Sequence, residues 1–165
     1  MRSGVKLISA LAVAAGMLMG CAHPQYEEVA AQYEGLPPNN GRIYFYQPEQ
    51  PGNVTSNHPY LDINGWKAGR STPGHFFFVN RPAGTYTIST LTDKKNTVKF
   101  TLAAGQTRYV RVSIEGATGN AAGFGEQVMR QEESETKAKE ELATLTYSGA
   151  GSRERKSLAR TYPLH

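Results

Sequence analysis

Tyr60-Leu61-Asp62-Ile63-Asn64-Gly65-Trp66-Lys67-Ala68 reads as a β-hairpin. Asn-Gly is the dipeptide preferred in a two-residue type I′ turn, because both central positions need positive φ. Such a turn opposes Ile63 to Trp66 and Leu61 to Ala68, which sets all four on one face as an apolar stripe. Upstream, Ile43 and Phe45 alternate with Tyr44 and Tyr46 until Pro48 closes the run. Downstream, His75-Phe76-Phe77-Phe78-Val79 is apolar at consecutive positions, which predicts a central strand buried on both faces. Pro82-Ala83-Gly84 marks a turn, and residues 85–91 are rich in β-branched and aromatic types. Val98, Phe100 and Leu102 then alternate with Thr97, Lys99 and Thr101. After the Ala104-Gly105 turn, Val110, Val112 and Ile114 alternate with Tyr109, Arg111 and Ser113.

Strands at this spacing, separated by Gly, Pro and Asn, predict a mainly β fold: a small antiparallel β-sandwich of six to seven strands, with residues 124–131 as the candidate seventh. Ser134 then offers an N-cap, and Ala138, Leu142 and Leu145 fall at i, i+4 and i+7 with Lys137, Lys139, Glu140 and Glu141 around them. This pattern predicts one C-terminal amphipathic helix lying on the sandwich. The β-sandwich domain with its helix is thus expected at 41–148. Residues 149–165 carry Arg153, Arg155, Lys156 and Arg160 against Glu154 with few core formers, and are expected to be a disordered basic tail.

The chain has 165 residues and a formal charge of +4, from 18 Lys and Arg against 14 Asp and Glu. Its single cysteine, Cys21, excludes an internal disulfide framework and any four-cysteine metal site. His23, His58, His75 and His165 are scattered, without the i, i+2 or i+4 spacing of a metal pair, so neither metal nor cofactor is expected. Ser134-Glu135-Thr136-Lys137 matches the Ser-x-x-Lys element of penicillin-binding enzymes, but the companion Ser-Asp-Asn and Lys-Thr-Gly elements are missing. The segment 149–157 imitates a phosphate loop, yet Arg155 stands where that loop needs glycine. No catalytic residue is assigned, and the chain is not expected to be an enzyme.

Arg2 and Lys6 precede residues 7–19, which read LISALAVAAGMLM without a charge. This is a secretory signal, shorter than the roughly 20 apolar residues of a membrane span. Leu18-Met19-Gly20-Cys21 resembles the lipobox of bacterial lipoproteins. The resemblance implies a lipoprotein signal peptide at 1–20, cleavage before Cys21, and acylation of both its thiol and the new amine. Several acyl chains on one residue anchor it durably in a lipid bilayer. Loss of Arg2 and Lys6 with the signal would lower the charge to +2. Ala22, rather than Asp, resembles the outer-membrane pattern of enteric bacteria. Residues 21–40 read as a lipidated N-terminal tether with a faint helical pattern at Tyr26, Val29 and Tyr33; as a flexible coil it would reach roughly 24 Å.

Gly41-Arg42-Ile43-Tyr44-Phe45-Tyr46-Gln47-Pro48 resembles the opening of the bacterial lipoprotein domain of unknown function 2846. The likeness continues through Ile63-Asn64-Gly65-Trp66, the aromatic strand 75–79, the Pro82-Ala83-Gly84 turn, and Ala104-Gly105 leading to Tyr109-Val110-Arg111-Val112, over about 41–145. The glycine turns also resemble the PEGA module, although Pro82-Ala83-Gly84 departs from its Pro-Glu-Gly-Ala turn. Both resemblances imply a β-sandwich, and neither implies an enzymatic activity. Tyr44, Tyr46, Tyr60 and Tyr109 are candidates for the strand faces opposite the predicted core; either the helix at 134–145 covers them, or, left uncovered, they form an apolar, hydrogen-bonding platform for a partner. The reading is therefore a non-enzymatic lipoprotein of the bacterial outer membrane, facing the periplasm, held to the bilayer through acylated Cys21 and binding an envelope protein. Export excludes nucleic acid. A cell-wall glycan-binding module and a cell-wall hydrolase are the alternatives.

Overall fold

The computed structural model describes residues 24–49, 58–90, 96–115 and 126–149, together with Thr161. The signal sequence, Cys21 and the tail other than Gly149 and Thr161 lie outside the described residues. Asn64 and Gly65 take positive φ, 50° and 86°, and turn β2 (Tyr60–Ile63) into β3 (Trp66–Arg70). Ile63 opposes Trp66 as expected, but Leu61 opposes Gly69 rather than Ala68. The ladder shifts between Leu61 and Asp62, leaving Ala68 as an extra residue on β3. Close packing accounts for the bulge: a Cβ on Gly69 would stand 2.6 Å from the Phe77 ring, so only a bare backbone fits against that ring.

The remaining strands are β1 (Asn40–Gln47), β4 (His75–Pro82), β5 (Gly84–Thr90), β6 (Val98–Leu102), β7 (Thr107–Glu115), β8 (Glu126–Glu132) and β9 (Thr146–Tyr147). The helices are α1 (Tyr26–Gln32) and α2 (Glu135–Leu142). Two sheets form, one in the order β8-β7-β1-β4-β9 and one in the order β3-β2-β5-β6. The architecture is mainly β and sandwich-like, with nine described strands rather than six to seven. It is also not purely antiparallel, since β1 pairs with β7 and β4 with β9 in parallel. The chain leaves the five-stranded sheet for the other one between β1 and β4 and again between β4 and β7. Those crossovers bring β7 in alongside β1 in the same direction.

Between the sheets lies the first core, in which Ile43, Phe45, Phe77, Val79 and Val110 meet Leu61, Ile63, Ile88 and Leu102. Phe45 and Phe77 stack at 5.0 Å within it. Tyr44, Phe76, Phe78 and Tyr109 project from the other face of the five-stranded sheet into a second core, closed by Tyr26 and Val29 of α1 and by Ala138 and Leu142 of α2. The consecutive aromatics of β4 are thus explained by a sheet covered on both sides.

Residues 24–40 do not form a free tether. Gln25 bridges to Thr146, the Tyr147 N–H donates to the Pro24 carbonyl at 3.1 Å, and Val29 is fully buried. A seven-residue helix has little stability of its own, so α1 persists through this docking. The packed unit therefore begins by Pro24, not at residue 41. Ser134 caps α2, its hydroxyl accepting from the Lys137 N–H at 3.3 Å. The helix ends at Leu142, Leu145 is buried just beyond it, and β9 follows, so α2 is neither the single helix nor the last element. No helix among the described residues is long and apolar enough to cross a membrane.

Candidate functional site

On β1, residues of odd number enter the first core, so Arg42, Tyr44 and Tyr46 share the helix-covered face. Arg42 is buried there and works as a staple. Its Nε donates to Asn80 Oδ1 at 2.9 Å, and one terminal nitrogen donates to the carbonyls of Tyr33 at 2.7 Å and Gly35 at 3.1 Å. The guanidinium lies 4.5 Å from the Phe78 ring centroid. These bonds fix the chain that leaves α1. A second clamp, Arg111 Nε to both carboxylate oxygens of Glu141 at 3.0 and 3.1 Å, holds α2 to β7.

Beside the Arg42 staple, residues of α1 and α2 border a groove of about 430 Å³, a size in the range of small-ligand sites. Its floor is Tyr44 and Tyr109, stacked at 5.7 Å and 10°, with Tyr26 edge-on to Tyr44 at 5.5 Å. The rim carries Glu34 after α1, and Glu135 with Lys139 on α2, whose side chains pair at 2.6 Å. Opposite charges on an aromatic floor suit a polar, uncharged or zwitterionic group more than a strongly anionic one. Among the described residues no three His, Cys, Asp or Glu side chains converge on a metal-sized site.

The four candidate tyrosines separate. Tyr44, Tyr46 and Tyr109 are 3%, 2% and 4% exposed, so they are core beneath the helices and not an open platform. Tyr60 lies on the other sheet, with Lys67 Nζ 3.0 Å and the Arg70 guanidinium 4.6 Å from its ring centroid. Cys21 lies outside the described residues. Arg42 and the Glu135–Lys139 pair were not singled out from the sequence. Parity along β1 holds the signal for Arg42, a cation in register with two tyrosines.

Burial raises the Tyr44 phenol above its ordinary value of 10.0, with Arg42 opposing. Burial also raises Tyr109, reinforced by Tyr26 and Glu135. Burial again dominates at Tyr46, reinforced by Glu141, whose carboxylate is nearby although the hydroxyl makes no hydrogen bond of good geometry. Tyr60 shifts the other way, because Lys67 and then Arg70 favour its phenolate. For the three buried phenols the unfolded chain releases protons first, so their contribution is complete below pH 10 and declines as pH rises above it. Chemical denaturation at increasing pH should show stability falling from about pH 10 upward. Absorbance at the phenolate band should show Tyr60 ionising while Tyr44, Tyr46 and Tyr109 stay protonated until the fold is lost. Ionisation of all tyrosines together without unfolding would contradict this placement.

The fold and groove together define a two-sheet, mainly β domain with one sheet face closed by helices. The family model described as "Protein of unknown function (DUF2846)" matches residues 37–125, and the chain belongs to that family. The match spans β1 to β7 and stops before β8 and α2; α1 precedes it, so the helices covering the aromatic face come from outside the matched segment. No curated protein and no solved structure matches the chain.

Proposed function

We propose that this chain is a non-enzymatic lipoprotein of the bacterial outer membrane, anchored through acylated Cys21, whose periplasm-facing domain binds another envelope protein as an accessory module. What carries the reading is the lipobox-like Leu18-Met19-Gly20-Cys21, three residues ahead of Pro24, whose carbonyl is already docked on the domain by the Tyr147 N–H. The groove between α1 and α2 supports the binding role, because its rim charges are accessible while its tyrosine floor is structural. The PEGA-like likeness belongs to the same reading; it rests on the glycine turns, although Pro82-Ala83-Gly84, between β4 and β5, departs from the Pro-Glu-Gly-Ala tetrapeptide.

Palmitate labelling and membrane fractionation test the anchor. Cys21→Ser should abolish incorporation, and retained label would remove the anchor from the reading. Crosslinking in intact envelopes tests the groove. Because Tyr44 and Tyr46 are buried, the informative change is Lys139→Glu on the exposed rim, which sets two carboxylates one helical turn apart. It should lose a specific crosslinked protein with little change in stability; loss of no partner would count against the groove. Sedimentation with sacculi stripped of protein would instead favour the glycan-binding alternative.

A further inference from the structure

We propose that the β2–β3 hairpin is a docking surface for the anionic headgroup layer of a bilayer, holding the sandwich edge-on against the membrane that carries Cys21. This rests on the lipid-anchored reading above and adds to it an orientation and a second contact.

Trp66 is the only tryptophan in the chain and stands 65% exposed at the hairpin tip, the one large hydrophobic side chain so exposed among the described residues. Indole with one wet edge is favoured at the membrane–water interface. The bulge at Ala68 supplies the charge. In a regular strand Lys67 and Arg70, three residues apart, would face opposite sides. Here Ala68 and Gly69 are both buried, and Lys67 and Arg70 emerge together over Tyr60, with the Arg70 guanidinium donating to its hydroxyl at 3.0 Å. Among the described residues neither cation pairs with a carboxylate. Asp62, opposite Lys67, is turned inward to accept the Gly65 N–H.

The topology sets this surface beside the anchor. β3 is an edge strand, and Gly69 lies against Phe77 of β4. Beyond β4 in its own sheet is β9, to which Gln25 is bridged. The hairpin and the start of α1 therefore lie on the same lateral edge of the sandwich. Their ends also correspond. Arg70 precedes Ser71, which donates to Gln47 at 2.6 Å; Gln47 opposes His75, and His75 opposes Thr146, the bridge partner of Gln25. From there β3 runs about 14 Å along the edge to Trp66. The three peptide steps from Cys21 to Pro24 span at most about 11 Å however they are arranged. An anchor this short brings the edge within reach of the headgroups. Glu27 and Glu28 of α1 are exposed over the five-stranded sheet, so an anionic surface would favour the β3 side over theirs.

The single tryptophan makes the test direct. The chain purified from membranes is reconstituted in vesicles of phosphatidylethanolamine and phosphatidylglycerol with brominated acyl chains, and Cys21 acylation is read by mass. Trp66 emission should shift to shorter wavelength and be quenched by the bromines. The quenching should be lost in Lys67→Glu/Arg70→Glu with the same acyl mass, and in about 1 M salt, where charges are screened beyond about 3 Å. Both residues are exposed, and an unchanged unfolding midpoint verifies the fold of the variant. Unquenched Trp66 on an acylated chain overturns the docking and leaves the anchor standing, whereas an unacylated Cys21 overturns both. Equal quenching in the double variant overturns the headgroup contact. An emission shift with soluble dextran sulfate but no bromine quenching overturns the bilayer in favour of a polyanion.

Discussion

Val29→Asp should lower the unfolding midpoint by roughly 12 °C, at about 4 °C per kcal/mol for a domain of this size. Val29 is fully buried in α1, within the cluster that includes Tyr44, Phe78 and Leu142. An ionised carboxylate there loses its hydration without gaining a partner, a cost of about 3 kcal/mol or more. The protein escapes part of that cost by releasing α1, and the docking energy of α1 sets the ceiling. Release carries its own penalty. The helix is too short to survive alone, its bridge to Thr146 breaks, and the rings of Tyr44, Phe76 and Phe78 meet water. A thermal melt followed by circular dichroism measures the effect. An unchanged midpoint would mean that 24–40 is a coil joining anchor to domain, and the edge-on geometry would lose its short connection as well.

The sequence made the β content legible where the signal is local. Asn64-Gly65 fixes its own turn through two positive φ values, and alternation at Ile43 and Phe45 or at Val110 and Val112 identifies residues that enter one core. Consecutive Phe76, Phe77 and Phe78 announce a strand buried on both faces. Alternation reports which face a residue takes, not what covers it, so from sequence Tyr44, Tyr46 and Tyr109 could be read either as residues beneath the C-terminal helix or as an open platform. Their cover comes from α1 and α2, separated from each other by about a hundred residues of chain. Tyr26, Val29 and Tyr33 held the helical spacing of α1, but three apolar positions in a short segment become a helix only against a partner surface. The bulge at Ala68 depends on Phe77, and the parallel pairing of β1 with β7 on two crossovers; neither is written in local pattern. The groove was invisible for the same reason, since its floor and rim come from four separate elements.

Gly41→Val should cost about 4 kcal/mol, well above Gly65→Ala. A Cβ at Gly41 would stand 2.6 Å from Leu102 Cγ and 2.7 Å from the Gln106 carbonyl oxygen. Leu102 is fully buried, and the Gln106 oxygen accepts the Arg42 N–H at 2.8 Å, while the Gly105 N–H donates to the Asn40 carbonyl at 2.9 Å. Neither neighbour is the free end of a flexible side chain, so β1 must move away from the β6–β7 turn. Overpacking costs typically up to about 3 kcal/mol, and each weakened backbone bond adds about 1 kcal/mol. The displacement reaches the groove at once, because Arg42 is the next residue and its bonds to Asn80, Tyr33 and Gly35 depend on where β1 begins. Gly65→Ala supplies the contrast. Nothing lies within 4 Å of its Cβ position, and only its φ of 86° opposes the change, at about 1 kcal/mol. Urea denaturation of the two variants separates crowding from conformation. Equal losses would mean that the approach of β1 to the β6–β7 turn is not what fixes the start of the sheet, and that Arg42 is held in place by Asn80 and the chain leaving α1 without it.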